Sequence, residues 1–434
     1  MIDPPVETQT ALAEPYPTEK RPSLATFSLL VALGWLGTNL GLAMGELPLK
    51  FLLKDELHQT AAGVSLFFVI GQISNYVKPL AGILTDSVPL FRTRRRWYLL
   101  LSLLGTGLAW LILSAVPRQY GIMLVTYTCL YTTVMFTSTT LGGVMVEGGM
   151  RYRAEGRLTA QRISMFRLGS LLGGPVGGFL SNYPFLWAAG AAAALHLVLV
   201  PLYFQTLPEA PTAVLKREVL ANVLNNLITL SRTRILWAAA FMIFLIAASP
   251  GFGTPLLFYQ TNTLHLSKQY VGILVFVSAF TGLLAAIAYH QLCRTIPLRS
   301  LLAASIVIHA VGTVTYLWYH SATSALIITA ISGVTGTLAT LPVYDLAVRG
   351  TPRGCEALGY SIMMSVWNLT NALSDWSGST LFSNFHFNFT HLIWLNAGTT
   401  ALVMVAVPLL PTALVSRRDG DKEEIGSCVE NATP

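Results

Sequence analysis

The sequence predicts an all-α membrane protein with twelve transmembrane helices in two six-helix bundles. Three observations point there. First, the chain of 434 residues is 53% hydrophobic and only 11% charged, with mean hydropathy +0.59. A soluble domain carries about 25% charged residues. Second, apolar runs recur at close to the ~20 residues that cross a bilayer, and amphipathic windows are nearly absent from the interior. Third, the basic residues gather between those runs, where cytoplasmic loops of a membrane protein place them. That clustering also argues against nucleic acid as the partner of a chain with formal net charge +7.

The spans fall in order near 24–46, 60–84, 97–116, 119–146, 158–181 and 184–206, then 233–258, 269–290, 299–319, 322–347, 357–382 and 389–411. The domain plan is a polar, acidic N-terminal tail (1–23), a first bundle (24–206), a connector (207–232), a second bundle (233–411) and a charged tail (412–434). Lys216, Arg217 and Glu218 in the connector suggest a surface helix. The N-terminal tail lacks the basic start and cleavage site of a signal peptide. Its polar, proline-bearing composition is that of a disordered segment.

With the N-terminus inside, twenty-one of the 27 Lys and Arg residues fall in cytoplasmic segments. Lys50, Lys54, Arg118 and Lys268 are external, and Lys78 and Arg167 lie within spans. Orientation by positive charge therefore puts both termini in the cytoplasm. The expected location is the plasma (inner) membrane, crossed many times. The two halves echo one another. Span 4 ends with Glu147, Arg151, Arg153 and Glu155, and span 10 ends with Asp345, Arg349, Arg353 and Glu356. The first acid and arginine of each set are four apart, on one helical face. Such an echo suits two repeated six-helix units.

No nucleophile elbow, Walker loop, dinucleotide fingerprint or zinc-protease motif occurs, which argues against an enzyme, a cofactor and an ATP-driven pump. Cys129, Cys293, Cys355 and Cys428 form no C-x-x-C pair and give no disulfide or metal expectation. His386 and His391 sit in an aromatic stretch that reads as membrane-interface packing.

The most informative stretch is Lys78-Pro79-Leu80-Ala81-Gly82, continuing through Asp86-Ser87-Val88-Pro89-Leu90-Phe91 to Arg92 and the run Arg94, Arg95, Arg96. It resembles the loop between helices 2 and 3 of major facilitator transporters, and more narrowly the folate–biopterin transporter branch. Leu52-Leu53-Lys54-Asp55-Glu56-Leu57 resembles that branch's F-L-K-D-x-L. Pro352-Arg353-Gly354-Cys355-Glu356-Ala357, with Ser361, Met364-Ser365 and Asn368, resembles its opening of span 11. The resemblance implies the major facilitator fold and a secondary carrier for pterins, folates or similar anionic heterocycles, driven by protons. There are departures. Gly142 stands where the branch has an aspartate, and Gln161-Arg162 stands for a glutamine–serine pair. Gly174-Pro175-Val176-Gly177-Gly178 resembles a motif of proton-coupled drug antiporters and reads equally as close helix packing.

Within that reading the gate is Gly82, Asp86, Arg94, Arg95, Arg96, Glu147, Arg151, Asp345, Arg349 and Glu356. Asp86 would face the N-terminus of span 11, and Gly82 would let the two helices approach. Lys78 and Arg167 are charges inside spans, which face a cavity or a partner because lipid disfavours them. Either they bind an anionic substrate or they form structural ion pairs. Trp367, Asn368, Asn371 and Trp376 could hold a flat heterocycle by stacking and hydrogen bonds. Burial in general favours the uncharged form of a carboxylic acid. The acids in apolar spans, Glu46 and Asp375, are therefore the candidates for coupling to protons. The expected activity is uptake of a small anionic heterocycle with H+ by a monomer in a lipid bilayer. Proton-coupled efflux of a drug or metabolite is the alternative, and a non-transporting receptor or scaffold is the alternative of another class.

Overall fold

The computed structural model describes residues 23–416 apart from 94, 153, 207–227, 229 and 352–355. Most of the connector and both tails therefore lie outside the described residues. Every regular element among the described residues is helical.

Helix α1 (Leu24–Phe51) begins where the Ser23 hydroxyl accepts the Thr26 N–H, and it continues into a π turn over Leu52–Glu56. The sequence ended this span at Glu46. The helix runs on because Glu46 pairs with Lys50 one turn later, at 2.9 Å, so neither charge is left alone. Lys50 is thus inside the helix rather than in an external loop. The second expected span is broken into α2 (Ala61–Gly71), α3 (Ile73–Tyr76) and α4 (Lys78–Ser87), with non-helical angles at Gln72 and Val77. Pro79, in the first turn of α4, has no N–H to bond into the preceding turn.

Helices α5 (Arg96–Ala115), α6 (Tyr120–Tyr152), α7 (Glu155–Leu180) and α8 (Phe185–Thr206) follow the expected spans. The seventh is broken: α9 (Arg234–Ala247) stops before Ser249-Pro250-Gly251, and α10 (Gly253–Phe258) resumes and ends in a π turn over Tyr259–Thr263. Then come α11 (Lys268–Thr295), α12 (Leu298–Val314), α13 (Ala322–Arg349), α14 (Glu356–Asn384) and α15 (Phe389–Leu402), with a short α16 (Thr412–Val415). Nine stretches among the described residues are long and apolar enough to cross a membrane. The broken pair α2–α4 and α9–α10, and the polar α14, fall outside that set.

The buried residues of the three largest apolar clusters segregate by half. Buried clusters join residues between Phe27 and Tyr203, and a separate large cluster joins residues between Leu230 and Val415. Many large apolar side chains point outward, among them Trp187, Val198, Phe241, Ile287, Val311 and Val405. Such surfaces suit lipid better than water.

The halves share a local device that sequence reading missed. Each π turn is followed by Leu-His-x-Thr/Ser: Leu57-His58-Gln59-Thr60 and Leu264-His265-Leu266-Ser267. Both histidines are left-handed, at φ 49° and 51°. The Gln59 N–H donates to the Leu53 carbonyl, and the Leu266 N–H donates to the Gln260 carbonyl. The Thr60 and Ser267 hydroxyls then cap α2 and α11.

Contact between the halves runs through α7 against α11, and α2 against α14. Glycines set the first. Gly173 and Gly177 pack on Ala43 and Met44 of α1, while Gly174 and Gly178 pack on Gly272 and Val275 of α11. The Gly174–Gly178 motif is thus a two-sided packing surface. Gly82 behaves otherwise: a Cβ there would meet only Thr139 of α6, at 3.9 Å. In this state the Gly82 face of α4 looks toward α6.

A Cβ at position 178 would lie 2.8 Å from the Gly272 Cα and from the Lys268 carbonyl, both backbone atoms. Gly178→Val should cost about 1–3 kcal/mol by overpacking. The cost should appear as a lower thermal midpoint of the purified protein, and Gly142→Val, where nothing lies within 4 Å, should leave the midpoint in place.

Candidate functional site

The break between α9 and α10 exposes backbone groups that lipid cannot satisfy. Polar side chains of α14 and α15 satisfy them. The Ser374 hydroxyl donates to the Ser249 carbonyl at 2.5 Å, and the Gly251 N–H donates to the Ser374 carbonyl at 2.8 Å. The Asn396 amide donates to the Pro250 carbonyl at 2.9 Å and accepts from the Thr313 hydroxyl at 3.2 Å. Asp375 accepts from both the Thr254 N–H, at 2.8 Å, and the Thr254 hydroxyl, at 2.6 Å. Gly378 admits the Gly251 backbone, which a Cβ would block. Asp375 thus caps the start of α10 while its helix carries the break.

Beside this junction lies a cavity of about 270 Å³. Its wall is formed by Glu46 and Lys50 of α1, Phe68, Gln72 and Asn75 of the broken second span, Thr254 of α10, and Asn368, Asn371, Ala372 and Asp375 of α14. The four α14 residues are spaced i, i+3, i+4 and i+7, one stripe of a helix. Lys50 pairs with Glu46, lies 5.1 Å from the centre of the Phe68 ring and lies within the field of Asp375. The cavity therefore holds one cation between two acids, with four side-chain amides and one aromatic face around them.

Four of the expected site residues converge here: Glu46, Asn368, Asn371 and Asp375. Four do not: Lys78 and Arg167, taken up below, and the two tryptophans. Trp367 meets Tyr344 edge-on at 5.8 Å, and Trp376, 36% exposed, is absent from the cavity wall. Each neighbours a cavity residue in sequence, and adjacent helix positions point about 100° apart. Phe68 supplies the aromatic face instead. Nothing singled out Lys50, Gln72, Asn75 or Thr254, although a lysine four residues after Glu46 was a usable signal.

Lys78 and Arg167 lie off the cavity wall. Lys78 is one turn beyond Asn75 and lies in the field of Arg162, while Arg167 lies beside Gly282 and in the field of Tyr344. Among the described residues neither forms an ion pair.

The two ends differ. At the Asp55 end, Asp55 pairs with Lys268 of α11 at 2.8 Å and with Lys54 at 3.0 Å. The Ala62 N–H donates to the Ser383 hydroxyl at 3.1 Å, and Phe51, Leu257 and Val271 form an apolar plug. These contacts join the two halves. At the Asp86 end, Arg95 pairs with Glu147 at 3.0 Å and Asp345 with Arg349 at 2.9 Å. Arg96 donates to the Phe204 carbonyl at 2.5 Å, and Arg151 is exposed. The expected echo thus holds its pair in the second half, while in the first Glu147 reaches Arg95. Arg94 and the side chains of Asp86 and Glu356 lie outside the described residues.

The buried junction gives a direct test. Asn396→Leu removes the donor to the Pro250 carbonyl and the acceptor of the Thr313 hydroxyl. Leaving those groups unsatisfied should destabilise the protein by about 1–3 kcal/mol, read by thermal unfolding. Asn384→Leu, at the exposed end of α14, should not.

Residues 39–430 match the BT1 family. The chain is 28% identical over 412 residues to the folate-biopterin transporter of Synechocystis sp., covering 90% of this chain and 78% of that protein. It is 25% identical to folate transporter 2 of Plasmodium falciparum over 94% of each. Among solved structures it overlays a D-xylose–proton symporter with TM-score 0.69 at 14% identity, covering 90% of this chain and 99% of the other. A nucleoside transporter overlays with TM-score 0.70 at 15% identity, over 88% and 99%. An all-helical chain with these membrane-length helices, this fold and this family match is a transporter rather than an enzyme: it belongs to the BT1 family, is similar to folate-biopterin transporters and shares the fold of the solved symporter and nucleoside transporter.

Proposed function

We propose that the protein is a proton-coupled symporter for a pterin- or folate-like anionic heterocycle, working by alternating access. The observation that carries this reading is the cavity at the meeting of α1, α2, α10 and α14, where Glu46, Lys50 and Asp375 share space with four amides and Phe68. Pteridine rings carry an amide-like edge, which side-chain amides match, and a flat face, which Phe68 matches. The names of the relatives support the same substrate class.

In this reading twelve spans form two six-helix bundles, residues 24–206 and 233–411, with both termini in the cytoplasm of a plasma-membrane monomer. The segregated cores and the repeated Leu-His-x-Thr/Ser turn support the two-unit plan. The bundles rock about the cavity. The Asp55 end is then the outer gate, closed in this state. Asp86, Arg94, Arg95, Arg96, Glu147, Arg151, Asp345, Arg349 and Glu356 serve the inner gate.

The geometry divides the two acids. Asp375 accepts two hydrogen bonds from Thr254, which supports a role in fixing α10. Among the described residues Glu46 pairs only with Lys50, and its side chain is 35% exposed. A proton reaching Glu46 breaks the pair and frees Lys50 for a substrate anion, so proton and substrate bind together. Returning Lys50 to Glu46 expels both.

In proteoliposomes with an inward proton gradient, labelled folate or biopterin should accumulate against its own gradient. Glu46→Gln should abolish that accumulation while leaving exchange at equilibrium. Full accumulation by Glu46→Gln would remove Glu46 from coupling, and expulsion by the unmutated protein would make it an antiporter.

A further inference from the structure

Three cations on the Asp86 side of the cavity are used by nothing described so far. Lys78 opens α4, one turn past the cavity residue Asn75. Arg162 and Arg167 lie on α7. Lys78 and Arg162 lie in each other's electrostatic field, and both are only partly exposed. Arg162 stacks 4.5 Å from the centre of the Trp35 ring and lies in the field of Tyr344 and Tyr360. Arg167 lies in the field of the same Tyr344, and its guanidinium comes within 3.8 Å of where a Cβ at Gly282 would sit. Among the described residues, no carboxylate pairs with any of the three.

Like charges facing each other away from water repel, and such a group is stable when an anion comes between its members. The aromatics add to the fit. Trp35 fixes the plane of one guanidinium, leaving its edge free to donate in parallel to a carboxylate. Tyr344 and Tyr360, in whose field Arg162 lies, carry hydroxyls able to donate as well. Distance also fits. Tyr360 precedes Asn368 by eight residues on α14, about 12 Å of helix. The cluster therefore sits beyond the cavity, in line with it.

We propose that Lys78, Arg162 and Arg167 form a second binding station that takes the carboxylate-bearing tail of the substrate while the cavity holds its ring. This rests on the pteridine reading for the ring and on the cation cluster alone for the tail. Arg162 is then the residue that sets preference for tailed over tailless substrates.

Three probes separate the parts: folate, which has ring and tail; biopterin, the ring without a charged tail; and p-aminobenzoylglutamate, the tail alone. Binding is measured on the full chain in lipid nanodiscs. The unmutated protein should bind p-aminobenzoylglutamate. Arg162→Gln and Lys78→Gln should each weaken it, and folate, by about ten-fold or more, as loss of a charge-assisted bond does. Biopterin binding should be unchanged, and Arg162→Lys should recover only part of the tail affinity, because an ammonium keeps the charge but loses the parallel donation of the guanidinium edge. If Arg162→Gln fails to fold, Lys78→Gln and Arg167→Gln decide alone. No binding of p-aminobenzoylglutamate, or undiminished tail binding in the folded variants, overturns the station. Equal loss of biopterin also overturns it, because the cations would then be structural. Tail binding that depends on Arg162 in a protein that ignores biopterin would keep the station and reject the pteridine ring.

Discussion

The capping of α10 by Asp375 is the interaction on which the rest of the structure depends. A span that unwinds inside a membrane exposes donors and acceptors that water cannot reach. Here the break at Ser249-Pro250-Gly251 is matched group by group, with Ser374, Asp375 and Asn396 supplying the partners. That match fixes α14 against α10. Once the two are locked, the stripe Asn368, Asn371, Ala372 and Asp375 has only one way to face, toward Glu46 and Lys50 of α1. The polarity that keeps α14 out of the set of long apolar helices is therefore the same polarity that builds the cavity wall.

Glycine plays the complementary part on the other side of the interface. In α7, the pairs Gly173 and Gly177, and Gly174 and Gly178, sit four apart and bring backbone to backbone on two partners at once. Close approach in lipid rests on dispersion and shape rather than on a hydrophobic force. Such a contact can part without stranding a polar group. The Asp55 end adds one ion pair, Asp55 with Lys268, and one hydrogen bond, Ala62 to Ser383. An end held by shape and two part-buried polar ties is suited to opening, whereas the α10–α14 junction is suited to staying closed.

Much of this was legible in the sequence, and the parts that were not share a cause. Composition and charge placement locate the helices within a few residues, and the motifs around Lys78, Asp55 and Glu356 point to the family. Glu46, Asn368, Asn371 and Asp375 stand out because polar residues in apolar runs are rare. Helix breaks were missed, because Gln72, Val77 and Pro250 look ordinary in a hydropathy profile. Lys50 was placed in a loop because a charge normally ends a span, and only its pairing with Glu46 and its seat over Phe68 keep it inside. The two tryptophans were assigned by sequence neighbourhood, where helical phase decides. Arg162 registered only as a departure from a pattern, since its partners Trp35, Tyr344 and Tyr360 come from three other helices.

The central claim is that the two halves move about the shared cavity, with the Asp55 end opening and closing once per cycle. A reversible cross-link tests it most directly. Ala62→Cys and Ser383→Cys, joined where the Ala62 N–H meets the Ser383 hydroxyl, are placed in a background lacking Cys129, Cys293, Cys355 and Cys428. Substrate uptake into proteoliposomes is followed before oxidation, after oxidation and after reduction. The account predicts that oxidation stops transport and that reduction restores it. Undiminished uptake by fully cross-linked protein would contradict it.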